Sequence, residues 1–267
     1  MFGLDIYRAT NHAGRGLFNA LAELGAARMA PPRDPRDAAH RLAGSLGAVA
    51  RAHDIAVTVQ GDVPRSTALI IANHVSYLDP LAILPMCPAA PVAKGEVESW
   101  PIIGSIGAAL GVTFVKRAEP YARVRTLRRI HSLLAAGVSV LNFAEGTTSE
   151  GDKVRPFFRG SFGIAQRVGV PVVPVVIRYR DPSMAWCNAA SFLPHYVKMT
   201  AQKRVEVTLT FLPPMQPRAG EPAEDMAARA RNAISLNLHR MRLTDAAVCP
   251  PLSPSRSDSV LPARRVA

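Results

Sequence analysis

Short apolar runs rich in β-branched residues alternate with helical stretches from Ile55 to Phe211, and this alternation constrains the fold more than any other feature. Such runs are typical of strands buried on both faces, and the helical stretches between them provide the layers that cover a sheet. The expected fold class is α/β, with a single mixed, largely parallel sheet flanked by helices. The predicted strands are Ile55–Val59, Ala68–Ala72, Val112–Val115, Val138–Phe143, Val172–Ile177 and Val205–Phe211, and the predicted helices between them are Pro80–Met86, Arg123–Ala136 and Ser161–Val168.

Three parts are expected along the chain. Residues 1–53 predict an N-terminal pair of amphipathic helices, separated by a proline-rich stretch at 31–35. Arginines near the apolar stripe of the first helix leave two interpretations open: the pair caps the core, or it anchors the chain at a membrane surface. Residues 54–243 form the α/β domain, which ends in an amphipathic helix over 221–242. The Pro-, Ser- and Arg-rich residues 244–267 are predicted to be a disordered tail.

The formal net charge of +12 favours partners that are polyanions. Nucleic acid, anionic lipid headgroups and an acidic carrier protein all fit that charge. The three cysteines are widely spaced and form no metal-ligand cluster, which favours a reducing cytoplasmic setting; no metal or cofactor is expected. The sequence shows neither a signal-peptide layout nor an uncharged apolar run of about 18 residues. Any association with a membrane is therefore expected at its surface.

The first candidate site follows an apolar run, where Asn73-His74 leads through a short turn to Asp79-Pro80. Asp-Pro is a good helix start, and the carboxyl end of a strand is where open α/β sheets place their sites. A carboxylate bonded to one ring nitrogen fixes the histidine tautomer and leaves the other nitrogen free to accept a proton. A structural histidine followed by an aspartate that caps a helix would give the same sequence pattern. Of the seven histidines, however, only His74 has an acidic residue five positions later.

Other polar turns follow apolar runs in the same way. Glu145-Gly146-Thr147 comes after one run, and Lys116-Arg117 comes after another. If the strands are parallel, the turn with Glu145 and the turn with the histidine lie at the same edge of the sheet. A fourth run, over 169–175, begins a strand with two prolines.

These four blocks, in this order and at this spacing, resemble the glycerolipid acyltransferase family, and in particular bacterial 1-acyl-sn-glycerol-3-phosphate acyltransferases (lysophosphatidic acid acyltransferases). The family's signatures are Asn-His-x4-Asp, Gly-x-x-Phe-Val-x-Arg, Phe-x-Glu-Gly-Thr and Val-Pro-Val-Val-Pro. The resemblance runs from about Ala68 to Pro214, more than half of the chain. Each signature is short, but four in register are specific.

The resemblance implies a role for each matching position. The catalytic pair would be His74, as general base, and Asp79, as the carboxylate that orients it. The remaining positions would serve acceptor binding: Arg117 for the phosphate, Glu145, Gly146 and Thr147 for the acceptor, Pro174 for the shape of the site, and Lys94, by its position, as a further phosphate ligand.

The implied reaction moves a fatty acyl chain from acyl-CoA or acyl carrier protein to the free hydroxyl of 1-acyl-sn-glycerol-3-phosphate, giving phosphatidic acid. An alcohol attacks a thioester at neutral pH only if a base removes its proton, a task that suits histidine. The chain has no Gly-x-Ser-x-Gly, so direct attack is simpler than an acyl-enzyme. The implied partners are this donor, a lysophospholipid acceptor and an anionic membrane surface, at the cytoplasmic face of the inner membrane.

Two departures from the family pattern leave the acceptor open. Lys116 stands where many members have an acidic residue, and Phe158 stands where many have a lysine. Another lyso-lipid, such as lyso-ornithine lipid, is therefore an alternative acceptor. A basic nucleic-acid-binding protein is an alternative of a different class, based on the arginines over 117–129. Aromatic residues are sparse there and no known binding module is present, so nucleic acid is not the expected partner.

Overall fold

The computed structural model describes residues 2–100, 103–116, 119–187 and 191–248. The strands are β1 (Ile55–Gln60), β2 (Leu69–Ala72), β3 (Ala90–Lys94), β4 (Thr113–Val115), β5 (Val140–Asn142), β6 (Val172–Tyr179) and β7 (Val205–Phe211). The helices are α1 (Phe2–Met29), α2 (Pro35–Ala52), α3 (Asp79–Ile83), α4 (Gly95–Glu98), α5 (Ile103–Ala109), α6 (Ala122–Ala135), α7 (Gly160–Val168), α8 (Phe192–Ala201) and α9 (Ala223–Val248).

The strands form one seven-stranded sheet in the order β1-β7-β6-β2-β5-β3-β4. Neighbouring strands are parallel except β6 and β7, which are antiparallel. Strands β2 to β6 therefore share one direction, and their carboxyl ends lie at one edge of the sheet, whereas β1 and β7 run the opposite way. The predicted single mixed, largely parallel sheet with flanking helices is confirmed.

Helices cover both faces of this sheet. In β2, Ile70 and Ala72 point into a core formed with α2, α3, α5 and α8, while Leu69 and Ile71 point into a core formed with α6, α7 and α9. All four side chains are fully buried. A strand covered on both faces gains from apolar residues at every position, which is why β2 appears in the sequence as an unbroken apolar run.

Strand β3 was not predicted, because its residues Ala90, Pro91 and Ala93 have low intrinsic preference for strands. It forms because both of its edges are paired, with β5 on one side and β4 on the other. Helices α4, α5 and α8 were not predicted either. Pro194 lies in the first turn of α8, where a missing N–H leaves no helix hydrogen bond unmade.

The N-terminal helix pair is present, and its two sides differ. Helix α1 packs on α2, α5 and α8, with His12 and Gly16 on its buried side. Its opposite side exposes Tyr7, Phe18 and Leu21. Within the described part of the chain, no helix has both the length and the apolar character that crossing a membrane requires.

The three expected parts of the chain stay predictions. Helix α9 continues to Val248, beyond the expected end of the domain at residue 243. Residues 249–267, which make up most of the predicted tail, lie outside the described residues.

Two phenylalanines near α7 provide a test of the core. The side chain of Phe162 is fully buried between the sheet and α9, whereas Phe158, four residues earlier, is 61% exposed. We expect Phe162→Ala to lower the free energy of unfolding by about 3–5 kcal/mol, because it leaves a cavity. Phe158→Ala should change it by less than about 0.5 kcal/mol, and equal effects of the two variants in urea denaturation would contradict this packing.

Candidate active site

The parallel register of β2 and β5 brings two polar turns together. Ile71 of β2 pairs with Asn142 of β5. Three residues after each of them, beyond the ends of the strands, the backbone N–H of His74 donates to Oε1 of Glu145, at 2.8 Å. The two turns therefore meet at the carboxyl edge of the sheet, as expected for parallel strands.

His74 and Asp79 form a hydrogen-bonded pair, with Nδ1 and Oδ2 2.7 Å apart. Because a carboxylate only accepts, the hydrogen lies on Nδ1, and Nε2 is left with a free lone pair. The imidazole stacks on the ring of Phe143, with centroids 4.0 Å apart, and the His74 side chain keeps 18% of its surface exposed. The site thus holds one basic nitrogen, fixed in tautomer and orientation and open to a bound substrate.

The carboxylate of Asp79 is fully buried and has further donors. Oδ2 also accepts from the backbone N–H groups of Val75, at 2.7 Å, and Ser76, at 3.1 Å. Oδ1 accepts from the hydroxyl of Tyr179, at 2.8 Å. Burial, and then the negative charge of Asp79, raise the pKa of Tyr179 well above its ordinary value, so the phenol stays a protonated donor. Sequence reasoning missed Tyr179, which lies 100 positions from Asp79 in the chain.

Asn73 extends the sheet beyond the end of β2. Its side-chain amide donates to the carbonyl of Ile177 at 2.9 Å and accepts from the N–H of the same residue at 2.8 Å. The amide thus makes the two hydrogen bonds that a backbone peptide group of a neighbouring strand would make. On the other side, the carbonyl of His74 accepts from the N–H and the hydroxyl of Ser149, at 2.8 and 3.2 Å. The backbone at His74 is thus held from three directions, by β6, by Glu145 and by Ser149.

Glu145 is placed differently from its predicted role. It is buried, and its two oxygens accept from the backbone N–H groups of His74 and Arg155, each at 2.8 Å. Burial raises the pKa of Glu145, and the two N–H donors oppose that rise. The geometry assigns Glu145 to holding the backbone of the histidine in place, and its contact with an acceptor stays a prediction.

The other predicted binding residues lie beside this turn. Nζ of Lys94, at the end of β3, donates to Oγ1 of Thr147 at 3.4 Å. Gly146 has a φ of 71°, a backbone conformation that glycine adopts without strain. Lys116 forms an exposed ion pair with Glu98, at 3.0 Å. Arg117 lies outside the described residues.

Pro174, which was predicted to shape the site, lies two residues after the start of β6. It is buried within β6, opposite Ile71, and its carbonyl accepts from the N–H of Leu212. Any influence on the site therefore passes through the sheet. Among the residues that the structure describes, no three His, Cys, Asp or Glu side chains are grouped as a metal ion would require.

An aromatic wall lies next to the turn that carries His74 and Asp79, which is called the catalytic turn below. Tyr77, which lies between His74 and Asp79 in the chain, packs edge-on against the rings of Trp186 and Phe192, with centroids 5.6 and 5.1 Å apart. Trp100 contacts the same two rings. These residues come from four separate segments of the chain. They place a cluster of aromatic rings beside this turn, on the side of the sheet where α8 lies.

The chain is similar to known proteins in sequence and in fold. A family model described as Acyltransferase matches residues 54–178, the segment that contains β1 to β5 and all but the last residue of β6. A lyso-ornithine lipid O-acyltransferase from Pseudomonas aeruginosa is 31% identical over 187 residues, which cover 68% of this chain and 72% of that protein. The chain belongs to the acyltransferase family.

Two further relatives extend this result. A 1-acyl-sn-glycerol-3-phosphate acyltransferase from Neisseria gonorrhoeae is 35% identical over 142 residues, covering 52% of this chain and 55% of that protein. The crystal structure of the 1-acyl-sn-glycerophosphate acyltransferase PlsC from Thermotoga maritima has the same fold, with a TM-score of 0.66 and 22% identity over 90% of this chain and 95% of that one. This chain is thus an acyltransferase, with relatives named for two different acceptors.

Tyr179→Phe tests whether the phenol positions the predicted catalytic pair, His74 and Asp79. The variant removes one hydrogen bond to a buried carboxylate and leaves the ring in place. We expect kcat to fall by about tenfold, while KM for both substrates changes by less than about twofold, because Tyr179 is buried and its hydroxyl contacts Asp79.

Tyr121→Phe is the control, since that tyrosine is exposed on the surface. An unchanged kcat in Tyr179→Phe, a loss that appears mainly in KM, or equal effects of the two variants would show that the phenol does not act through Asp79.

Proposed function

We propose that this acyltransferase moves a fatty acyl chain from a thioester donor, acyl-CoA or acyl carrier protein, to the free hydroxyl of a lysophospholipid. The proposed acceptor is 1-acyl-sn-glycerol-3-phosphate, and the product is phosphatidic acid. The observation that carries this proposal is the His74–Asp79 pair, whose free Nε2 lies at the carboxyl edge of the sheet. The aromatic wall lies beside it, and so does a cationic rim that contains Lys94 and Lys116.

The proposed reaction needs one base and no covalent intermediate. Nε2 of His74 removes the proton of the acceptor hydroxyl while the hydroxyl oxygen forms a bond to the thioester carbonyl carbon. The carbon–sulfur bond then breaks, and the imidazolium returns the proton to the departing thiolate. Asp79 stabilises the imidazolium between these two steps, because its buried carboxylate lies 2.7 Å from Nδ1.

Cations and hydroxyl groups at the rim suit an acceptor phosphate. The ammonium group of Lys94 and the hydroxyl of Thr147 lie together next to the catalytic turn, and both can donate to phosphate oxygens. The family resemblance adds the guanidinium of Arg117. These groups support a phosphate-bearing headgroup as the part of the acceptor that is held.

A second acceptor, lyso-ornithine lipid, is favoured by the charge pattern of the same rim. Its headgroup carries a carboxylate and an ammonium group. Lys116 and Glu98, paired at 3.0 Å, present one charge of each sign close to Lys94, because Lys94 pairs with Val115 at the end of the neighbouring strand. The Pseudomonas aeruginosa relative is named for this acceptor.

We also propose that the enzyme acts at the cytoplasmic face of the inner membrane, as a peripheral or monotopic protein. The support is the exposed side of α1, where Tyr7, Phe18 and Leu21 follow one another at helical spacing. Large apolar side chains on the outer side of a helix gain free energy when they enter the headgroup region of a bilayer.

Binding to vesicles tests this location. The double variant Tyr7→Ser/Phe18→Ser should bind anionic phosphatidylglycerol vesicles at least about tenfold more weakly in cosedimentation, because each exposed ring adds about 1.5–3 kcal/mol when buried. The control, Tyr121→Ser/Phe158→Ser, removes the same two residue types from equally exposed positions on the other layer of the protein. Equal loss in both double variants, or no loss in either, would contradict the proposed location.

Acyl transfer to a panel of lyso-lipids tests the activity. With acyl-CoA or acyl carrier protein as donor, and mass spectrometry to detect the product, we expect 1-acyl-sn-glycerol-3-phosphate to be acylated. His74→Ala should lower the rate by about 100-fold or more, as for loss of a general base, while His239→Ala, on the exposed side of α9, should leave it unchanged.

The panel separates the candidate acceptors. Product from lyso-ornithine lipid alone would favour the second acceptor, and full activity in His74→Ala would refute the mechanism.

A further inference from the structure

The outer side of α6 carries an arginine face that the proposed reaction does not use. Arg125, Arg128 and Arg129 are exposed there, with Tyr121 and Ser132 at the two ends. Arg125 is paired with Glu119, whereas Arg128 and Arg129 make no ion pair with any described residue. Like charges at this helical spacing repel one another, so the arginine face is stabilised when an anionic partner covers it.

The position of α6 separates the arginine face from the proposed membrane side. Helix α6 covers one face of the sheet together with α7 and α9, and α8 covers the other face and packs against α1. A bilayer that contacts the exposed side of α1 therefore leaves α6 on the opposite layer, turned towards water. This arrangement favours a soluble anionic partner over a lipid surface.

The arginine face is also connected to the catalytic edge. Strand β4 ends at Val115, and Lys116 lies beside Gly95 at the carboxyl edge of the sheet. Helix α6 begins a few residues later, at Ala122, and packs against β4, β5 and α7. The first turn of α6 is thus close to the rim of the site, and the helix runs away from it over a length of about 20 Å.

We propose that the arginine face docks an acidic carrier protein that delivers the acyl thioester. This proposal rests on the proposed function, and it names the donor of that reaction. The exposed outer side of α6, from Tyr121 to Ser132, covers about three helical turns, with the three guanidinium groups in its central part. This extent matches a small protein interface, whereas the few phosphates of free acyl-CoA need only a local site. Complementary charges at the edge of an interface mainly raise the rate of association, so the contact should be sensitive to salt.

Charge reversal tests the docking site. In Arg128→Glu/Arg129→Glu, we expect the affinity for acyl carrier protein and the kcat/KM with that donor to fall by about tenfold or more, because attraction becomes repulsion. The kcat/KM with acyl-CoA of the same chain length should stay within about twofold, because the catalytic pair is untouched. The matched control is Arg65→Glu/Arg218→Glu, which makes the same change in net charge at exposed positions before β2 and after β7, at the opposite edge of the sheet.

The possible results separate this proposal from its alternatives. Equal losses with both donors, equal losses in the control, or no loss would overturn the docking site. A loss of vesicle binding or of nucleic-acid binding, with unchanged carrier binding, would assign the arginine face to that other partner instead. No transfer by the wild-type chain from either donor would refute the proposed function, whereas transfer from acyl-CoA with no measurable carrier binding would refute the docking proposal alone.

Discussion

The carboxylate of Asp79 has no contact with solvent and accepts four hydrogen bonds, from the His74 ring, two backbone N–H groups and the Tyr179 hydroxyl. A buried carboxylate without partners would destabilise the fold by several kcal/mol, so these donors are required for folding as well as for orientation. They come from the turn after β2 and from β6, two neighbouring strands. The position of the imidazole is therefore fixed by the same contacts that hold the centre of the sheet together.

A second set of contacts fixes the loop that follows β5. Glu145 and Ser149 bind the backbone of His74 from one side, and arginines of α9 bind the loop from the other. Arg242 donates to the carbonyls of Gly151 and Asp152, at 2.8 and 2.9 Å, and Arg231 donates to that of Val154, at 2.9 Å. Guanidinium groups that bond to backbone carbonyls leave their charge uncompensated. Part of the net charge of +12 is thus a consequence of the architecture, whereas Arg128 and Arg129 of α6 make no such contact with any described residue.

The sequence predicted those features that depend on local pattern. The alternation from Ile55 to Phe211 gave the sheet and its two helix layers, because buried parallel strands need apolar residues on both faces. The pairing of His74 with Asp79 was predicted because the two residues lie five positions apart, in the turn after an apolar run. Tyr179 and the aromatic wall depend on the spatial order of strands, which no local pattern encodes. Glu145 was identified by its position, but its contacts with backbone N–H groups could be seen only once β2 and β5 were in register.

The layered arrangement also explains how one site can serve two substrates of opposite character. The proposed acceptor and the acyl chain are lipids. The aromatic wall beside His74 includes Phe192 of α8, the helix that packs against α1. The proposed donor is carried by a hydrophilic molecule, and the charged surface of α6 lies on the other layer. The carboxyl edge of the sheet is shared by both layers, so a base at this edge can be reached from the apolar side and from the charged side without a change in fold. The fixed orientation of the imidazole then decides where the hydroxyl and the thioester must meet.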